Sequence, residues 1–238
     1  MTLQSMLAIA GLAMCTVVVV SIAVFRVERL KWVISLVIIS SFAIGTQHSV
    51  ATNPFKLAWL CNVTACLAIF LCFRFHQRVY DVFTYFAWTG DLFTLLGWDN
   101  PLCPPLAEHP VAWAAFWLKH IGPLSLSLYL ILAMRKRVTA TAFRFSLTLM
   151  LLYACAMYPY NVIFEQNILD LMWPTIPADQ AFGPWPIYVF VNVSLALSWY
   201  VALHGCLKRL GIVDGQRAQM LEPAIMMPAQ TVSRPPGI

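Results

Sequence analysis

The sequence predicts an all-α polytopic membrane protein with seven transmembrane helices, its N-terminus outside and its C-terminus cytoplasmic. Three observations lead there: a deficit of charge, seven apolar runs of membrane-spanning length, and basic residues confined to alternate loops. Of the 238 residues, 61% are apolar and 11% charged, with a mean hydropathy of +0.75. A soluble domain carries about 25% charged residues, so too few remain here for a water-facing shell.

The runs are Met6–Phe25, Trp32–Val50, Phe55–Phe73, Val79–Trp98, Val111–Met134, Ala142–Ile163 and Trp185–Cys206, each close to the roughly 20 residues that cross a bilayer. The first has no basic residue before it and exceeds the roughly 7–15 residues of a signal-peptide core. Arg26-Val27-Glu28-Arg29 follows it without a small-residue cleavage site, so it reads as a retained helix. The second ends in Gln47 and His48, and the third follows Asn53-Pro54. The fourth is the least apolar, interrupted by Thr84, Thr89, Asp91 and Thr94. Four prolines between Asp99 and Pro110 suit a rigid, extended cap before the fifth run. Between the sixth and seventh, Phe164 to Pro184 reads as an amphipathic segment along the interface. Residues 1–209 form the transmembrane domain, and 210–238, lacking helical periodicity, read as a disordered tail.

Charge fixes the orientation. Arg26, Arg29 and Lys31 follow the first run, Arg74 and Arg78 the third, Arg135-Lys136-Arg137 the fifth and Lys208-Arg209 the seventh. Of the 15 basic residues, only Lys56 lies at the opposite set of loops, while Lys119 and Arg144 fall inside or at the edge of runs. The positive-inside rule then puts the N-terminus outside, and an odd number of crossings makes every loop agree. These basic residues are orientation signals, so no nucleic-acid partner is expected. The seven cysteines include no CxxC pair, so neither a disulfide framework nor a zinc site is expected, nor is any other metal or cofactor.

Polar residues inside apolar runs are costly and mark candidate sites. With 1.5 Å per residue, Cys61 lies about 9 Å below the outer end of its run, Asp91 about 10 Å and His120 about 13 Å. Asn192 falls at a similar level, and Asn161 lies nearer the surface. Lipid offers these groups no partner, so they should face an outward-opening polar pocket. Each has a plainer alternative. A membrane cysteine packs as a small apolar residue, asparagines bond between helices, His120 makes a structural hydrogen bond, and Asp91 pairs with Lys119. Asn62-Val63-Thr64 and Asn192-Val193-Ser194 match glycosylation acceptors but sit within apolar runs.

Four segments carry a resemblance. Asn53-Pro54 through Leu67-Ala68, Phe116-Trp117-Leu118-Lys119-His120-Ile121-Gly122, Asn161 with Asn167-Ile168-Leu169, and Phe182-Gly183-Pro184-Trp185-Pro186-Ile187-Tyr188 resemble elements of the YwaF-type bacterial integral membrane family. The similarity covers roughly Phe42 to Tyr200. That family is similar to a vertebrate transmembrane acyltransferase remodelling ether phospholipids, and more distantly to androgen-induced hydrolases of fatty-acid esters. The resemblance implies a bacterial cytoplasmic membrane location and a Cys nucleophile with a His base, which fall on Cys61 and His120. Substrate contacts are expected from Asn62, Thr64, Asp91, Asn161, Trp185, Tyr188 and Asn192. Where the family commonly has Asp after the Cys this chain has Asn62, and Ser-His becomes Lys119-His120, so His120 is expected to lack an orienting carboxylate from that position. The expected partner is a membrane lipid, a phospholipid or fatty acyl ester. The alternatives are a lipid- or solute-binding or transport protein without covalent chemistry, and a structural membrane subunit.

Overall fold

The computed structural model describes Thr16 and residues 30–96, 103–174 and 181–214. The rest of the first apolar run and the tail from 215 lie outside the described residues. All regular elements among the described residues are helical: α1 (Leu30–Thr52), a 3-10 turn (Pro54–Ala58), α2 (Leu60–Phe73), α3 (Gln77–Phe86), a π turn (Ala87–Asp91), α4 (Leu92–Leu96), α5 (Pro110–Leu132), α6 (Ala142–Phe164), a 3-10 turn (Ile168–Asp170) and α7 (Ile187–Arg209). α5, α6 and α7 are long and apolar enough to cross a bilayer.

Two elements depart from the sequence expectation. The third run does not become one helix from Phe55. Asn53 caps a 3-10 turn by accepting from the Phe55 N–H at 2.9 Å, and Trp59 is extended (ψ 141°) before α2 begins at Leu60. Pro54 fixes its own backbone and lacks the N–H that would continue a helix through it. Cys61 therefore sits in the first turn of a 14-residue helix, not six residues down a longer one. The fourth run passes through a π turn at Ala87–Asp91, a widening of the α-helix that is frequent at functional sites.

α5 is the buried axis. About two thirds of its apolar window is enclosed, against 6% for α6 and 17% for α7. α1 packs along it, and the seam is close: a Cβ on Gly122 would stand 2.6 Å from Cγ1 of Ile38. Small residues allow such approach where no hydrophobic effect draws helices together. α6 and α7 turn Leu152, Ile163, Phe190 and Val201 outward, which costs little against lipid.

The Arg- and Lys-rich ends are knitted by polar contacts. Buried Asp81 accepts from Gln77 Nε2 at 2.9 Å, the Thr139 N–H at 3.0 Å and Thr139 Oγ1 at 2.7 Å, tying α3 to the segment before α6. Val138 pairs with Val213 in an isolated parallel bridge, fastening the exit of α7. Arg137 and Asp214 meet at 3.4 Å, an exposed pair that adds little.

Candidate functional site

The site forms where α2, the π turn and α5 pack against one another. The π turn can approach α2 because residue 90 is glycine; a Cβ there would lie 3.1 Å from Leu60 Cδ2. Trp199 of α7 donates its indole N–H to the Trp88 carbonyl at 2.8 Å, and the Trp88 indole donates to Ser127 Oγ at 2.9 Å. The π turn is thus held from two sides, and Asp91 closes it.

Asp91 Oδ1 lies 2.7 Å from His120 Nδ1, with the two residues 0% and 1% exposed. With Asp91 ionised, its oxygen accepts from the Nδ1 hydrogen, which leaves Nε2 with the lone pair. Phe116, one turn earlier, meets the imidazole edge-on at 4.9 Å between ring centroids. The orienting carboxylate that Asn62 does not provide comes instead from another helix, and Asp91 is partnered by His120 where the alternative reading paired it with Lys119.

Lys119 is 5% exposed and donates from Nζ to Asn62 Oδ1 at 3.1 Å. Asn62 is anchored at its other end, donating from Nδ2 to the Lys56 carbonyl at 2.8 Å. Pro123 cannot donate to the Lys119 carbonyl, so the usual helical bond is missing one turn from the site. Through Asn62, the residue after Cys61, Lys119 is held at the start of α2. Cys61 occupies the second position of α2, where the positive end of the helix dipole favours negative charge.

Beside this cluster is a cavity of about 790 Å³, within the range of small-molecule sites. Cys61, Thr89 and Asn192 are polar residues on a wall otherwise built largely from Leu60, Phe93, Met150, Leu169, Phe182 and Val193. The expected polar pocket is therefore two things: a mainly apolar cavity, and a buried polar cluster that meets it at Cys61. The segment after α6 also lines the cavity, through Asn167–Leu171 and Trp173.

The other candidate residues take separate places. Asn161 spends its amide on Ile168, donating to the carbonyl and accepting from the N–H, both at 2.9 Å, which pins the segment under the cavity. Thr64 is buried and donates to the Leu60 carbonyl at 3.0 Å. Trp185 is exposed and donates to the Leu171 carbonyl at 3.1 Å, while Tyr188 is fully buried. Sequence reasoning missed Tyr153, whose hydroxyl donates to the Ala58 carbonyl next to the start of α2, and the holding of the π turn by Trp199. The signal for the π turn was present as Thr89-Gly90-Asp91 inside the least apolar run. Among the described residues, no group of three or more His, Cys, Asp or Glu side chains is placed to hold a metal ion.

A family model described as the TMEM164 family matches residues 1–203, and no curated protein or solved structure matches the chain. The chain belongs to the TMEM164 family, and is a membrane protein.

Proposed function

We propose that this TMEM164-family protein is an integral membrane enzyme that transfers or hydrolyses the acyl group of a phospholipid or fatty-acid ester, with Cys61 as nucleophile and His120 as base. The observation that carries the reading is the position of Cys61 on the wall of an apolar cavity that Thr89 and Gly90 also line, next in the chain to the Asp91 that holds buried His120. A cavity alone would serve binding. A buried imidazole held by a carboxylate is the kind of base that nucleophilic catalysis by a thiol needs.

In this mechanism His120 Nε2 takes the Cys61 proton. The thiolate attacks the ester carbonyl carbon, and the carbonyl electron pair moves to oxygen. Asn192 shares the cavity with Cys61 and is the oxyanion donor; Asn62 and Asn161 are held by other partners. Collapse breaks the ester C–O bond, and the expelled alkoxide takes the proton from His120. A lysolipid hydroxyl or water then gives its proton to His120 and attacks the thioester, and His120 returns the proton to sulfur. The apolar wall holds the acyl chain.

The same reading places seven spans in the bilayer, N-terminus outside, with the cavity in the outer half and kinship to YwaF-type bacterial proteins of the cytoplasmic membrane. The alternating basic loops support that topology. The test is labelling of purified protein by an activated-ester lipid probe. Cys61→Ala and His120→Ala should each abolish labelling while the protein stays monodisperse. Undiminished labelling of Cys61→Ala would sink the mechanism and leave the cavity a lipid-binding or transport role.

A further inference from the structure

Resting on that reading, we infer that Lys119 is the thiolate partner of Cys61: its buried ammonium, held by Asn62, receives the negative charge formed on sulfur when His120 takes the proton. Charge balance in the buried cluster calls for such a partner. With Asp91 ionised, the cluster before proton transfer balances its carboxylate with the Lys119 ammonium, beside a neutral thiol and a neutral imidazole. After transfer it holds two pairs, carboxylate with imidazolium and thiolate with ammonium. Both states are neutral overall, so no uncompensated charge is buried at either stage. Without Lys119 both states would carry a net negative charge in a low-dielectric interior, where an unpaired ion is costly.

The geometry fits this role. Lys119 is almost wholly buried and donates to the side chain of the residue that follows Cys61, at 3.1 Å. Asn62 is itself fixed to the Lys56 carbonyl, so its oxygen is presented to the ammonium. Asp91 is engaged by His120 through Oδ1, which leaves the ammonium to Asn62 and the thiol next to it in the chain. The replacement of the family's Ser-His by Lys119-His120 then becomes a working part of the nucleophile.

The experiment is the rate of Cys61 alkylation by iodoacetamide at pH 7.5, followed on the Cys61 peptide by mass spectrometry, in the full chain in detergent. Lys119→Gln keeps a donor for Asn62 but removes the charge, and should slow alkylation at least about tenfold. Lys119→Arg keeps the charge with a different shape and should restore most of the rate. Should Lys119→Gln fail to yield monodisperse protein, Asn62→Leu, which unseats the ammonium, carries the same expectation. Equal rates in wild type and Lys119→Gln, or loss of rate in Lys119→Arg matching that in Lys119→Gln, would overturn the assignment. Wild-type protein that resists the lipid probe while alkylation still follows the charge at 119 would overturn the acyl-enzyme reading and support the thiolate pairing. A wild type that is labelled by the probe, with alkylation unmoved by Lys119→Gln, would do the reverse.

Discussion

Asp91 presents one oxygen to His120 Nδ1 at 2.7 Å, while its other oxygen, Oδ2, is buried without a hydrogen-bond partner among the described residues. A group so placed does more than fill space, because an unsatisfied buried oxygen costs about 1–3 kcal/mol. Asp91→Asn keeps the shape and removes the charge that holds the imidazole as a base. Probe labelling should fall by up to about 10⁴-fold, the scale seen when the carboxylate of a catalytic His is neutralised. Labelling kinetics of the folded variant check this; an unchanged rate would leave Asp91 a structural partner. Asn192→Leu removes the proposed oxyanion donor from the cavity wall and should lower the rate by about 10²–10³, with cavity occupancy by a non-reactive lipid analogue retained. Cys103 is a control in such thiol experiments. Burial pushes its thiol up to about 11, so it stays protonated and slow at pH 7.5.

At the level of elements, two small residues set how near the helices come. Gly122 lets α5 lie on Ile38 of α1, and Gly90 lets the π turn lie on Leu60. Gly122→Val would drive a branched side chain into Ile38, and should destabilise the fold by about 1–3 kcal/mol or more. Thermal unfolding in detergent measures this, and an unchanged midpoint would mean that the seam is looser than described. Gly90 is adjacent to Asp91, so widening there would also move the carboxylate from His120. The sequence makes the apolar runs legible as helices, because their length and composition leave no other solution in lipid. It did not reveal where α2 begins. Trp59 is compatible with a helix, and its extended conformation arises from the 3-10 turn before it and the packing of Leu60 on Gly90. The π turn was hidden for a similar reason: Thr89-Gly90-Asp91 weakens an α-helix locally, but Trp199 and Ser127, remote in sequence, hold the resulting geometry.

For the whole molecule, the basic residues cluster at one set of helix ends, where Asp81, Thr139 and the Val138–Val213 bridge join the segments. The proposed topology puts that end in the cytoplasm, so an N-terminal epitope tag should be reached by antibody on intact cells and a C-terminal tag only after permeabilisation. The reverse pattern would overturn the orientation. Within the bundle, Ala154 lines the cavity; Ala154→Trp should shorten the longest acyl chain accepted by the probe reaction, as read from competition among esters of graded length. An unaltered length preference would place the chain elsewhere. Composition and charge alternation determined that this chain is a helical membrane protein, because lipid penalises charge and unpaired backbone wherever they occur along the sequence. The same penalty singled out Cys61, Asp91, Lys119 and His120 as residues needing partners. Which partner each one takes was decided only by tertiary structure. Asp91 meets His120, and Lys119 meets Asn62, because a π turn and a late helix start rotate those side chains toward one another, and such local departures depend on contacts between residues far apart in sequence.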